Sequence, residues 1–264
     1  MKNSLIYPVV NSLNNSIRLK MNNFEQIISD LMVYLNPDCL KEEFKQEIIA
    51  RKINAEKADE YYKILTSINM AYKKLLRYES YFTDFYPAQG KITKQEALEH
   101  HIHAYLEDVT ILKNKITVFL GTLKNDLKKI AKNKEDIEKA MSWLIDQTQE
   151  VFKGVSDVRN PHHHQGMKFI DCDLIDSQIA EVLLGENSPL KSSFKPTFVE
   201  ELKTKEEVSF VKARERWIAT AQKNNKQITG FLDDIFGRNK KFIYDLLNME
   251  AIVNKIKNYG ESAK

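Results

Sequence analysis

A chain of 264 residues with 42% hydrophobic and 29% charged side chains, 8 glycines and 6 prolines can bury a full core and is too apolar for general disorder. Its formal charge of +3, from 40 basic and 37 acidic residues, permits contact with nucleic acid without demanding it. Cys39 and Cys172 stand far apart and unpatterned, which excludes a disulfide framework or zinc knuckle and fits a reducing, cytoplasmic home, and no apolar run nears the roughly 18 residues of a membrane span.

Apolar residues recur at helical spacing almost throughout, and alternating runs are short, so the chain reads as all-α: one antiparallel helical bundle with extra amino- and carboxy-terminal helices. The opening "MKNSLIYPVVNSLNNSIRLK", with Pro8, four asparagines and no small-residue cleavage pattern, belongs to the fold rather than to a leader. A first helix is expected from Val9 to about Leu35, closed by Asn36 to Asp38, and a second from about Leu40 to Ile53. Asn54 caps a long segment whose stripe is Tyr62, Leu65, Ile68, Tyr72, Leu75 and Leu76; Pro87 and Gly90 then break the chain. Thr93 and Glu96 form a capping box for a helix to about Lys132, with Leu98, Ile102, Tyr105, Val109, Leu112, Ile116, Phe119 and Leu123 as its buried seam.

A further helix is expected from about Glu135 to Val158, another from Asp173 to Leu184, and a linker in "GENSPLKSSFKPTF". Thr204 and Glu207 read as a second capping box, Gly237 as the end of the helix it opens, and Lys240 to about Asn258 as the last helix. Residues 197–258 thus form a carboxy-terminal pair, packed on a core at about 54–184 or forming an appendage to it, all within one domain spanning 1–264.

The six histidines fall in two tracts, His100, His101 and His103, and His162, His163 and His164. In the first, Glu96, His100, His103 and Glu107 lie opposite the seam, but neither Glu-x-x-His nor His-Glu-x-x-His spacing is present, so a solvated or dimer face outweighs a metal. His101 and Asp108 sit at the seam's edge, where a polar group can serve a site on a neighbouring helix. The second tract lies in "DVRNPHHHQG". Asn160 is a good cap and Pro161 a good first helical residue, so Arg159 is expected just outside a helix start. Free amides, the positive helix end and a guanidinium together make a phosphate site, and an imidazole there can move a proton near neutral pH. For RNA, whose 2′-hydroxyl is an internal nucleophile, this chemistry needs no metal and no cofactor.

Arg159, Asn160, three residues and His164 resemble the R-x4-6-H signature, often R-N-x-x-x-H, of the HEPN superfamily of helical nucleotide-binding and ribonuclease domains. The resemblance implies a helical bundle that pairs as a homodimer around a composite cleft and cuts RNA without metal, leaving a cyclic phosphate, in toxin or phage-defence settings with an antitoxin or defence partner. It assigns Arg159 to the phosphate, Asn160 to orientation and His164 to acid or base. His162 and His163 compete with His164 for that role, and Asp108 or His101 would support Arg159 from a neighbouring, earlier helix. Members that pair with nucleotidyltransferase antitoxins carry a tyrosine two positions after the histidine; here that position is Gly166.

Other readings rest on the same residues. "RNPHHH" can be a polar turn with Arg159 paired to Asp157 or Asp171, the histidine triplet can hold a transition metal, or the domain can be a catalytically silent RNA-binding or protein-interaction module. The basic segments "LKNDLKKIAKNK", "VKARERW" and "GRNKKF" suit RNA backbone or plain solvation, and Tyr78, Phe82, Phe85 and Tyr86 suit core packing better than base stacking.

Overall fold

A computed structural model describes residues 23–40, 42, 45–46, 48, 55–87, 91–164, 171–186, 188–250 and 253–254, with the backbone alone at 39 and 159–164. Every regular element among them is helical, with no strand. The helices are α1 (Asn23–Leu35), α2 (Ala55–Leu75), α3 (Tyr78–Asp84), α4 (Lys94–Ile130), α5 (Lys134–Val151), α6 (Lys153–His164), α7 (Cys172–Leu184) and α8 (Pro196–Leu246), with short 3₁₀ turns at Pro37–Cys39 and Lys191–Ser193. By contact the chain divides into two compact units, one of Met1–Ala55 with Leu232–Lys264 and one of Glu56–Phe231. No described helix is long and apolar enough to cross a membrane.

In the larger unit α4 is the axis, touching α3, α5, α6 and α7. At 37 residues it runs about 55 Å, and its start is fixed by the expected box: the Thr93 hydroxyl accepts from the Glu96 amide at 3.2 Å while the Glu96 carboxylate accepts from the Thr93 amide at 2.9 Å. All eight seam positions from Leu98 to Leu123 are buried. Two tyrosine–aspartate–lysine clamps set α2 and α3 against it. Asp126 of α4 accepts from Lys57 at 2.6 Å, Lys129 at 2.9 Å and Tyr61 at 3.2 Å; Asp108 accepts from Lys74 at 2.8 Å and Tyr78 at 2.5 Å. Higher numbers on α2 and α3 meet lower ones on α4, so the pair is antiparallel. Lys124 and Lys128 of α4 hold Glu138 of α5.

Residues 196–231 of α8 run parallel to α4, since Gln95 meets Glu206 at 3.0 Å and Tyr105 meets Asn224 at 3.0 Å. They run antiparallel to α2, whose Tyr72 hydroxyl lies 2.6 Å from that of Thr229.

The smaller unit pairs α1 with residues 232–246 of α8. Phe24 stacks on Phe236 at 4.3 Å, and the Asn23 amide, free at the start of α1, donates to Asp233 at 2.8 Å. Tyr34 donates to the Leu247 carbonyl at 2.7 Å, and Tyr244 donates to Asp30.

The structure corrects several expectations. The segment after Asn54 is two helices, broken at Leu76 and Arg77, and its stripe uses buried Tyr61 rather than Tyr62. Thr204 caps nothing: it lies within α8 and its hydroxyl donates to the Glu200 carbonyl at 2.9 Å, because α8 has already begun at Pro196, which needs no donor at a first helical position. The two expected carboxy-terminal helices are one. Gly237 continues the helix, and its missing side chain answers a neighbour, since a Cβ there would stand 3.0 Å from Asn23 Nδ2. The stop comes at Asn248, in the left-handed region at φ 54°, where the Met249 amide returns to the Tyr244 carbonyl at 2.8 Å. The expected helix at 9–22, the Asn54 cap and most of 40–53 lie outside the described residues.

Candidate functional site

The expected helix from Glu135 to Val158 is divided at Phe152. Phe152 takes φ −95° and ψ 1°, outside the helical wells, with its ring buried edge-on to Phe231 at 6.3 Å. A new helix, α6, starts at Lys153 and continues to His164. Asn160 is therefore no cap, Pro161 no first residue, and Arg159 no neighbour of a helix start. The free amides of α6 lie at its beginning, about two turns before the motif, and Pro161 leaves the carbonyl four residues back without its helical donor.

Helical continuity also sorts the histidines. At about 100° per residue, position 163 falls within about 40° of 159 around the axis and 162 within about 60°, whereas 164 lies about 140° away. The backbone thus groups Arg159 with His162 and His163 on one side, and sets His164 toward the other.

The groups expected to support Arg159 have duties of their own. Asp108 is buried in its clamp with Lys74 and Tyr78. The His101 Nε2 donates to the Phe85 carbonyl at 2.9 Å, with its ring stacked on Tyr81 at 5.9 Å and edge-on to Tyr86 at 6.1 Å. Both hold α3 and the turn after it against α4. Asp171, a candidate partner of Arg159, caps α7 by accepting from the Asp173 and Leu174 amides, each at 3.1 Å. It also accepts from Arg216 at 3.0 Å and from the Trp217 indole at 2.9 Å. Among the outward residues of α4, Glu96 is spent in its capping box and His103 stands 3.8 Å from Glu99. Among the described residues no three His, Cys, Asp or Glu side chains converge as a metal site would require. Of the four aromatics, Tyr78 and Phe82 are buried, Tyr86 is half-buried, and Phe85 is 66% exposed.

Sequence reasoning missed a groove of about 650 Å³ beside α6. Its floor is Tyr105 and Leu106 of α4 with Trp217 of α8, the two aromatic rings meeting edge to face at 6.4 Å. One wall is apolar, from Val151, Gly154, Val155 and Val158; the other is polar, from Thr220, Lys223, Asn224 and Gln227 of α8, and Glu150 stands at the rim. Asn224 Nδ2 donates to the Tyr105 hydroxyl at 3.0 Å. The spacing of Trp217, Thr220, Asn224 and Gln227 was visible as one helical face, but nothing in the sequence says which helix it meets. A second cleft, lined by Glu96, Glu99, Gln178 and Glu181, is acidic. Burial holds the Glu181 carboxyl above its ordinary range, with the charges of Glu206 and Glu96 adding to that and the Thr93 hydroxyl opposing it.

Comparison with models of known families, with curated proteins and with solved structures finds no match in any of the three.

Proposed function

We propose that the chain is a HEPN-type, metal-independent endoribonuclease of the toxin or phage-defence kind, acting as a homodimer in the cytoplasm with an antitoxin or defence protein as a further partner. The observation that supports it is that Arg159, Asn160 and the histidine triplet share a single helix, α6, packed on the central helix of an all-helical bundle. In the reaction, the 2′-hydroxyl of RNA loses its proton to an imidazole as it attacks the adjacent phosphorus. The bond to the 5′-oxygen breaks, that oxygen receives a proton, and a 2′,3′-cyclic phosphate remains. Arg159 offsets charge on the pentacoordinate phosphorus and Asn160 orients it. His164 serves as the acid or base, with His162 and His163 competing for that role, and pairing of two copies would bring both motifs to one composite cleft.

Purified protein incubated with RNA in chelator is expected to release fragments ending in cyclic phosphate, and Arg159→Ala and His164→Ala to abolish this with helicity intact. Mixing those two variants restores part of the activity if the site is shared between copies. Cleavage that survives both substitutions rejects the assignment.

One observation favours a second reading, a silent RNA-binding or protein-interaction module. With the motif well inside α6, the helix start and its free amides do not lie at Arg159. That reading expects RNA or protein association without turnover and tolerance of His164→Ala in binding.

A further inference from the structure

We propose that the groove beside α6 holds one unpaired nucleoside of the RNA strand, adjacent to the phosphate engaged by the Arg159 to His164 segment; this rests on the ribonuclease reading above. Val158 lines the groove and is followed in α6 by the Arg159 to His164 segment, so groove and segment adjoin along one helix.

The walls select the occupant. Asn224 spends one amide proton on the buried Tyr105 hydroxyl, which fixes its plane and leaves a carbonyl oxygen and a second N–H for a ligand. Gln227, exposed one turn further along α8, offers a second carboxamide. Two carboxamides facing an apolar wall, over a floor of Tyr105, Leu106 and Trp217, suit a flat heterocycle that carries donors and acceptors on its edge and apolar faces above and below. An acyl chain or a wholly apolar peptide would instead strand those amides without partners.

Charge orients the strand. Lys223 at the polar rim attracts phosphate, while Glu150 across the groove repels it and accepts from a ribose hydroxyl or an exocyclic amine. A volume of about 650 Å³ is that of a small-molecule site, enough for a nucleoside and not for a duplex.

Gly154 belongs to the apolar wall. A Cβ built there meets nothing within 4 Å, so packing does not require glycine, although glycine inside a helix costs about 1 kcal/mol against alanine. Its missing side chain leaves the groove open.

The test is equilibrium binding of a labelled, short single-stranded oligoribonucleotide to the full chain in chelator, measured by anisotropy apart from cleavage, with an abasic analogue alongside. Gly154→Phe, which fills the groove, and the double change Lys223→Ala with Gln227→Ala, which touches only exposed side chains, are each expected to weaken binding about tenfold, as loss of one held base would. The abasic strand is expected to bind the unaltered protein correspondingly less well. Should Gly154→Phe fail to fold, the double variant decides alone. Tight binding unchanged in the folded variants overturns the groove proposal while leaving the ribonuclease reading intact. No binding of RNA by the unaltered protein overturns both.

Discussion

Replacing Asp126 by asparagine tests the physical reading of the bundle most directly. The side chain is 5% exposed and accepts from Lys57, itself 23% exposed, and from Lys129, 73% exposed. Asparagine keeps the shape and an acceptor for Tyr61 but removes the charge. The Lys57 contact, a charged hydrogen bond in a largely dry place, contributes about 1.5–3 kcal/mol. The exposed Lys129 pair adds no more than about 0.5 kcal/mol after solvent screening. The expected loss is about 2 kcal/mol, a fall in melting temperature of roughly 4–8 °C for a domain of this size.

Burial works against the Asp126 charge, but the hydrogen bonds and charges of Lys57 and Lys129 outweigh it and hold the folded pKa below the ordinary 3.8. A depressed folded pKa stabilises fully above the unfolded value and ceases to do so as pH falls through the folded one. Urea titrations followed by circular dichroism should therefore separate the two proteins at neutral pH and bring them together as the pH falls through the depressed folded pKa of Asp126, below the ordinary 3.8. Lys57→Met in a double-mutant cycle should couple to Asp126→Asn by about 1–2 kcal/mol. Equal stability at neutral pH, or a difference that persists undiminished in acid, refutes the account.

Gly154→Ala should raise stability by roughly 0.5–1 kcal/mol in the same urea titration, because its Cβ enters open space and the helix gains propensity. Gly237→Ala should fail to show that gain, since its Cβ must push Asn23 from its bond to Asp233. Asp171→Ala removes a cap and the partner of Arg216 and of the Trp217 indole, and should cost about 2–4 kcal/mol and shift Trp217 fluorescence to longer wavelength as the indole loses its fixed acceptor. Asn248→Ala should cost about 1 kcal/mol in thermal melts and Asn248→Gly nothing, because only the former resists a positive φ.

What could be read from the sequence was what local chemistry decides. The α4 seam keeps helical spacing without a gap, and Thr93 with Glu96 can satisfy each other's backbone whatever surrounds them. The break at Phe152 was hidden because Phe152 and Thr148 also fit the helical period, and only the backbone at Phe152, with its ring buried, distinguishes a break from a continuation. Gly237 misled for the opposite reason: glycine usually marks a stop through its positive φ, but here it keeps a helical backbone and makes room for Asn23. Moving the start of α6 back to Lys153 altered the expected site more than anything else, since it withdrew the helix end from Arg159. The groove was out of reach, because Tyr105, Gly154 and Asn224 come from three helices that only tertiary packing brings together.

The two clamp carboxylates of α4 lie eighteen residues apart, a whole number of turns, and the tyrosines and lysines that meet them lie seventeen apart across the opposing α2 and α3. Such spacing works as a vernier: a slip by a single position misaligns both ends at once, and neither can re-form while the other is displaced. Alignment of these helices is thereby entrusted to six polar side chains rather than to the aliphatic filling between them. That filling should tolerate wholesale shuffling among leucine, isoleucine and methionine of equal total volume, with the topology unchanged.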